Sequence, residues 1–120
     1  MFTRLNDLPT GAIGVRASGT VTCRDSAVVL EPSIRPVLDA GRQVRLLYIV
    51  DHDFAGYDPN VPFDEAVFGT QSLHKFERIA FLAEDGRYSR AVGAMEGLIP
   101  ADIKLLPADA VEAAKAWLAA

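Results

Sequence analysis

The residues best suited to chemistry are Asp51, His52 and Asp53, which follow an uninterrupted apolar segment, Val44–Val50. Two carboxylates and an imidazole can bind a metal ion or act as general bases. Neighbouring residues on an extended chain point in opposite directions, however, so the three side chains rarely converge on one ion. The competing interpretation is a turn whose aspartates accept hydrogen bonds from backbone N–H groups. We predict neither a catalytic site nor a metal site here.

The loop that follows is rich in aromatic residues and proline. It runs from Phe54 through Tyr57 to Phe63. Exposed apolar loops of this kind form lids, partner surfaces or tips that dip into membranes. The alternative is that Phe54 and Phe63 close the end of the hydrophobic core, since much of any folded surface is apolar. This loop is the strongest functional lead in the sequence.

Other candidate groups have simpler explanations. Cys23 falls in the first turn of a predicted helix, where the dipole can lower a thiol pKa, but it is the only cysteine and is best explained as a small, partly buried residue. His74 lies on the apolar stripe of another predicted helix and is best explained as a core or boundary residue. Six basic residues could lie together near strand ends and bind an anionic group, or they could be scattered charges that keep the surface soluble. They are Arg42, Arg45, Arg78, Arg87, Arg90 and Lys104.

Composition narrows the class of protein. The 120 residues include 16 acidic and 12 basic side chains, a net charge of −4, which argues against a nucleic-acid partner because such binding needs a basic face. One cysteine excludes an internal disulfide and fits a reducing compartment. We see no signal peptide and no apolar run long enough to span a membrane, and therefore expect a cytoplasmic protein. No dinucleotide fingerprint or P-loop is present, so we predict no cofactor.

Hydrophobic periodicity predicts an alternation of strands and helices. Predicted strands cover residues 2–5, 12–18, 44–50, 79–83 and 103–106. Predicted helices cover residues 22–40, 63–74, 87–95 and 108–118. Pro32 and Pro36 predict that the first of them is kinked or in two pieces, and Gly41 ends it. The order β-β-α-β-α-β-α-β-α predicts a single α/β domain over residues 1–120, with a mixed, mostly parallel sheet of about five strands flanked by about four helices.

Several local patterns resemble the SpoIIAA-like branch of the STAS family (sulfate transporter and anti-sigma factor antagonist domains). They are Gly19 to Asp25, Leu30-Glu31-Pro32, Leu46 to Gly56, Phe68-Gly69, Phe76 to Ala80 and Ala113 to Leu118. The resemblance spans nearly the whole chain and involves structural residues, so it bears on fold more than on function.

The resemblance implies two kinds of function. Anti-sigma factor antagonists carry a phosphorylatable Ser in the loop that here reads Asp51-His52-Asp53-Phe54, where this chain has no hydroxyl residue. Partner binding without phosphorylation is therefore one implication. SpoIIAA-like members also resemble lipid-carrier folds of the CRAL-TRIO type, which implies an apolar ligand cleft and loose membrane association.

We therefore expect a non-enzymatic protein that binds a small apolar or lipid-like ligand. The predicted ligand-binding residues are Phe54, Tyr57, Phe63, Val67, Phe68, Tyr88 and Val92. The alternative is a regulatory module of the anti-sigma factor antagonist type, in which Asp51, His52, Asp53 and Gly56 bind a protein partner. An enzyme ranks last because no nucleophile–base set or metal cluster stands out. Peripheral membrane contact and the oligomeric state, a homodimer included, stay open.

Overall fold

A computed structural model of the chain describes residues 1–57, 76–84, 86–94 and 101–120. Its strands are β1 (Phe2–Arg4), β2 (Ala12–Ala17), β3 (Thr20–Val21), β4 (Val44–Val50), β5 (Gly56–Tyr57), β6 (Phe76–Leu82) and β7 (Asp102–Leu106). Five of them form the main sheet in the order β1-β2-β4-β6-β7, and β3 pairs with β5 in a small second sheet. β1 is antiparallel to β2, whereas the other neighbours in the main sheet are parallel. The predicted mixed sheet of five strands is confirmed.

The helical elements are α1 (Cys23–Asp25), a π-helical turn (Ser26–Leu30), α2 (Glu31–Asp39), α3 (Gly86–Gly93) and α4 (Val111–Ala119). The two longest, α2 and α4, have nine residues each. The predicted helix over residues 63–74, with His74, lies outside the described residues. The prediction of about four helices is therefore not confirmed within the part of the chain that the structure describes.

The first helical region begins where its sequence predicts. The Asp25 carboxylate accepts hydrogen bonds from the Thr22 backbone N–H (2.8 Å) and the Thr22 hydroxyl (3.1 Å). Because Pro32 and Pro36 lack an N–H group, a regular α-helix cannot run through them with all its hydrogen bonds. The chain forms the π-helical turn before α2. α2 ends at Asp39, and Gly41 follows shortly after it with a φ of 75°, which suits glycine.

The strand order decides which helices share a face of the sheet. β2, β4, β6 and β7 are successive neighbours, so each crossover advances in the same direction, and right-handed crossovers place their helices on one face. We call this the first face; its buried side chains include Leu46, Tyr48, Ile79 and Phe81, packed with Leu30, Ile34 and Val92 of the helical regions. The second face carries Leu47, Ile49, Ala80 and Leu82, packed with Ala114 and Leu118 of α4.

Two further segments complete the second face. Leu5 and Leu8 pack against it, and Gly14 of β2 lies beneath them: a Cβ atom there would be 2.9 Å from Leu8 Cδ1 and 3.1 Å from Leu5 Cβ. The carboxyl end of α4 is held by Arg45, which donates to the Leu118 carbonyl at 2.6 Å, and by Arg78, which donates to the Trp117 carbonyl at 2.8 Å. Cationic groups at this end of a helix interact favourably with its dipole.

Candidate functional site

The candidate site is built at the carboxyl edge of the parallel strands, where the chain leaves β4. The Asp51 backbone N–H donates to the Ala17 carbonyl at 2.8 Å, and the Ala55 N–H donates to the Gly19 carbonyl at 2.7 Å. Between them, the Phe54 N–H closes a turn on the Asp51 carbonyl at 3.1 Å. The loop of residues 51–55 is thus fastened at both ends to the chain that leaves β2.

The small β3–β5 sheet extends this edge. Thr20 pairs with Gly56 and Val21 with Tyr57, in parallel. This corrects the prediction that Gly56 and Tyr57 belong to a loop. Runs of two residues are too short to show strand periodicity, so the sequence carried no signal for the pair. The pairing fixes Tyr57 beside the buried Val21 and above the end of β4.

A cluster of aromatic rings runs from the core to this edge. The Tyr48 ring is fully buried, stacks on Phe81 with 5.2 Å between ring centroids and meets Phe2 edge-on at 5.7 Å. Its hydroxyl lies 2.8 Å from the hydroxyl of Tyr57, whose ring in turn meets Phe54 edge-on at 4.9 Å. Phe54 and Tyr57 are half-buried and pack against the first-face core. We call Tyr48, Tyr57 and Phe54 the aromatic relay.

The polar side chains of Asp51, His52 and Asp53 do not all converge on one point. The Asp51 carboxylate accepts the His52 backbone N–H at 2.8 Å and lies 2.9 Å from His52 Nδ1. These contacts, the backbone hydrogen bond first among them, lower the pKa of Asp51 below its ordinary value. The His52 side chain is 81% exposed, and Asp53 is exposed as well. Asp51 therefore acts as a turn residue whose carboxylate accepts a backbone N–H. The described residues contain no group of three or more His, Cys, Asp or Glu side chains that could hold a metal ion.

The structure places only some of the predicted site residues. Phe54, Tyr57 and Gly56 lie together at the edge, next to Asp51, His52 and Asp53. Val92 is fully buried in the first-face core. Outside the described residues lie Phe63, Val67 and Phe68, together with the side chains of Tyr88 and Cys23. The site predictions stay predictions.

Sequence reasoning missed Tyr48 as part of the site. Tyr48 was the single hydroxyl-bearing residue in an otherwise apolar buried strand, apart from Arg45 near its start. A buried tyrosine hydroxyl usually finds a hydrogen-bond partner, and that rule pointed to a polar contact in the core. Its partner could not be named, because Tyr57 is brought to it by the unpredicted β3–β5 pairing.

The Tyr48 hydroxyl predicts a loss of stability at alkaline pH. Burial first, and then the Tyr57 phenol, raises the pKa of Tyr48 well above its ordinary value. The unfolded chain ionises near pH 10 while the native state keeps the proton, so this contribution is full below about pH 10 and declines above it, by up to about 1.4 kcal/mol per pH unit. Urea unfolding between pH 8 and pH 11 should show a steeper loss for the native protein than for Tyr48→Phe. Equal losses for the two proteins would contradict this assignment.

Taken together, the fold and the edge define a class of protein: an α/β domain whose mixed sheet presents an aromatic cluster and an acidic turn at its carboxyl edge. The chain belongs to the SpoIIAA-like family, whose sequence model matches residues 12–119. This confirms the resemblance drawn from its local patterns. A search of the curated proteins gives no match.

A solved structure agrees on the fold. The crystal structure of an uncharacterised protein from Shewanella loihica PV-4, described as having a SpoIIAA-like fold, superposes with a TM-score of 0.69 and 16% sequence identity. The match covers 98% of this chain and 92% of that one. None of the helices in the described residues has the length and apolar character needed to cross a membrane.

Proposed function

We propose that this protein is a non-enzymatic binding module that takes a small apolar or lipid-like ligand at the aromatic relay. The observation that supports this most is the half-buried pair Phe54 and Tyr57, in contact with each other and linked by a hydroxyl pair to the buried Tyr48. In open α/β sheets, ligands bind outside the carboxyl ends of the strands, which is where this pair lies.

The chemistry of the relay suits such a ligand. Small-molecule sites are mostly apolar and aromatic, with a few polar groups that fix orientation. Phe54 and the ring of Tyr57 offer the apolar surface, and the two hydroxyls, 2.8 Å apart, offer a donor and an acceptor at its inner end. Displacement of the Phe54 ring by a ligand would replace one apolar contact with another, so the core beneath would stay dry.

Native mass spectrometry of protein purified gently from its own host is the first experiment. An adduct of a few hundred daltons that is lost on denaturation and extracts into organic solvent would support the proposal. Binding is then measured with the fluorescent fatty acid cis-parinaric acid. Phe54→Asp should weaken binding at least tenfold, because a carboxylate would enter the apolar contact with Tyr57.

The matched control is Ala55→Asp, which adds the same charge one residue further on, at an exposed side chain. It should bind the probe as the native protein does. Equal affinities of Phe54→Asp and the native protein for the probe would overturn the proposal. Equal weakening of probe binding by Phe54→Asp and Ala55→Asp would also overturn it, because the loss would then come from the added charge and not from the lost Phe54 contact. Sedimentation with phosphatidylcholine vesicles tests the proposed loose membrane association.

A second candidate function is a protein-interaction module. The observation that favours it is the exposed acidic turn: His52 and Asp53 face solvent on a loop fastened at both ends by backbone hydrogen bonds. Rigid loops on a scaffold are common binding surfaces. Asp53→Arg should abolish co-purification of a partner while leaving the melting temperature within about 2 °C, as expected for a surface substitution. Asp109→Arg, at another exposed loop position, is the control and should keep the partner.

A further inference from the structure

A second cleft lies at the opposite edge of the sheet. It encloses about 460 Å³ at the amino ends of β2, β4 and β6. Two turns form its sides, one with Thr10 and Gly11 before β2 and one with Gly41, Arg42 and Gln43 before β4. Arg45 and Glu77 complete the lining. None of these residues belongs to the aromatic relay.

Arg42 is the principal cation of this cleft. Its side chain is exposed, and its guanidinium reaches across to the other turn, with Nη1 3.7 Å from the position that a Cβ atom of Gly11 would take. No carboxylate among the described residues forms an ion pair with it. An arginine aimed across a cleft without a protein acceptor has its donors available to a ligand.

Arg45 adds a second guanidinium that is only partly used. Its Nε donates to Glu77 at 3.2 Å and its Nη1 to the Leu118 carbonyl at 2.6 Å. None of the described residues accepts a hydrogen bond from its Nη2, so the N–H groups on Nη2 are available as donors. Because contacts with Glu77, Leu118 and Ala120 already hold the group, little side-chain entropy would be lost when a ligand binds it.

The charges favour an oxyanion over a cation or an apolar ligand. The cleft is lined by two positive side chains, Arg42 and Arg45, and one negative side chain, Glu77, so its net charge is positive. The net charge of the whole protein, in contrast, is −4. A phosphate monoester is close to a dianion at neutral pH, so it gains more from two guanidinium groups than a carboxylate does. Both turns have glycine at positive φ, Gly11 at 84° and Gly41 at 75°, and so bring backbone without side chains to the cleft.

We infer that this cleft binds a phosphate monoester, held by Arg42 and Arg45. Arg42 makes the principal contact, and Arg45 supplies the second guanidinium without giving up its bonds to Glu77 and Leu118. The volume of the cleft leaves room for an organic group attached to the phosphate. The same headgroup chemistry occurs in a free phosphate ester and in phosphatidic acid at a membrane.

The test is a titration of the ¹⁵N-labelled protein with glycerol 3-phosphate, with chloride as the ionic-strength control. Saturable shifts are expected at the amides of Gly11, Gly41 and Arg42. Arg42→Gln should weaken binding at least tenfold. Arg35→Gln removes the same charge from an exposed position of α2 and should bind as the native protein does.

Absence of saturable shifts, or equal weakening by Arg42→Gln and Arg35→Gln, would overturn the inference. Sedimentation with vesicles of phosphatidylcholine and phosphatidic acid then separates the sources. Co-sedimentation that Arg42→Gln abolishes and Arg35→Gln keeps identifies a lipid headgroup, whereas binding of glycerol 3-phosphate alone identifies a free ester. Because the aromatic relay lies at the other edge, failure here leaves the apolar-ligand proposal unaffected.

Discussion

Replacement of Tyr48 by alanine is expected to lower the free energy of unfolding by about 3–5 kcal/mol, as for other large buried aromatic side chains. The ring is fully buried between Phe81, which stacks on it at 5.2 Å, and Phe2, which meets it edge-on at 5.7 Å. Removing it leaves a cavity where β1, β4 and β6 pack together. It also removes the hydroxyl contact that links Tyr57 to the core.

Tyr48→Phe separates the ring from the hydroxyl. It keeps the packing and loses only the hydrogen bond, which should cost about 0.5–1.5 kcal/mol. Urea unfolding of Tyr48→Phe, Tyr57→Phe and the double variant gives the coupling energy between the hydroxyls, expected to be about 0.5 kcal/mol or more. If Tyr48→Phe costs as much as Tyr48→Ala, the ring contacts are not the source of the stability.

Leu118→Asp is expected to prevent folding or to lower the free energy of unfolding by more than about 5 kcal/mol. Leu118 is fully buried against the second face, so the substitution removes an apolar side chain and buries a carboxylate in its place. Arg45 and Arg78 are nearby cations, but they already hold the carbonyls of Leu118 and Trp117. Circular dichroism and urea unfolding report the loss directly.

Ala119→Asp is the matched control, because it places the same charge one residue further along α4 at an exposed position. Like Leu118→Asp, it places a negative charge at the carboxyl end of the helix, where the unfavourable interaction with the helix dipole costs about 0.3–1 kcal/mol. The difference between the two variants therefore isolates burial. A melting temperature of Leu118→Asp close to that of Ala119→Asp would show that α4 does not pack as described.

Long elements with a strong pattern could be predicted from the sequence. Val44–Val50 was predicted with its observed bounds, because a strand buried on both faces is a continuous apolar run with turn residues on either side. The predicted mixed sheet is confirmed by the antiparallel pairing of Phe2–Arg4 with Ala12–Ala17, because a short connection between consecutive strands joins them antiparallel. The last helix begins at Val111 rather than at the predicted Ala108, since the residues after Pro107 form a turn first.

The candidate site was less predictable, because its geometry depends on contacts between distant segments. Asp51 accepting the His52 N–H is a local event and was one of the two interpretations offered by the sequence. The hydroxyl pair of Tyr48 and Tyr57 depends instead on two-residue strands, β3 and β5, that periodicity cannot detect. The position of the Arg42 guanidinium in the cleft likewise could not be predicted, because it depends on the approach of the distant turn that contains Gly11.

The strand order also determines when each face of the sheet can be covered during synthesis of the chain. On a ribosome, α2 and α3 can cover the first face as they emerge, each soon after the strand it packs on. Leu47, Ile49 and Leu82 must wait for α4, the last helix described, before their face is closed. Until residues 111–119 clear the exit tunnel, the nascent chain carries an open apolar sheet surface, the kind that chaperones bind and that drives aggregation. Among the described elements, closure of the second face is therefore the last step in the order of synthesis.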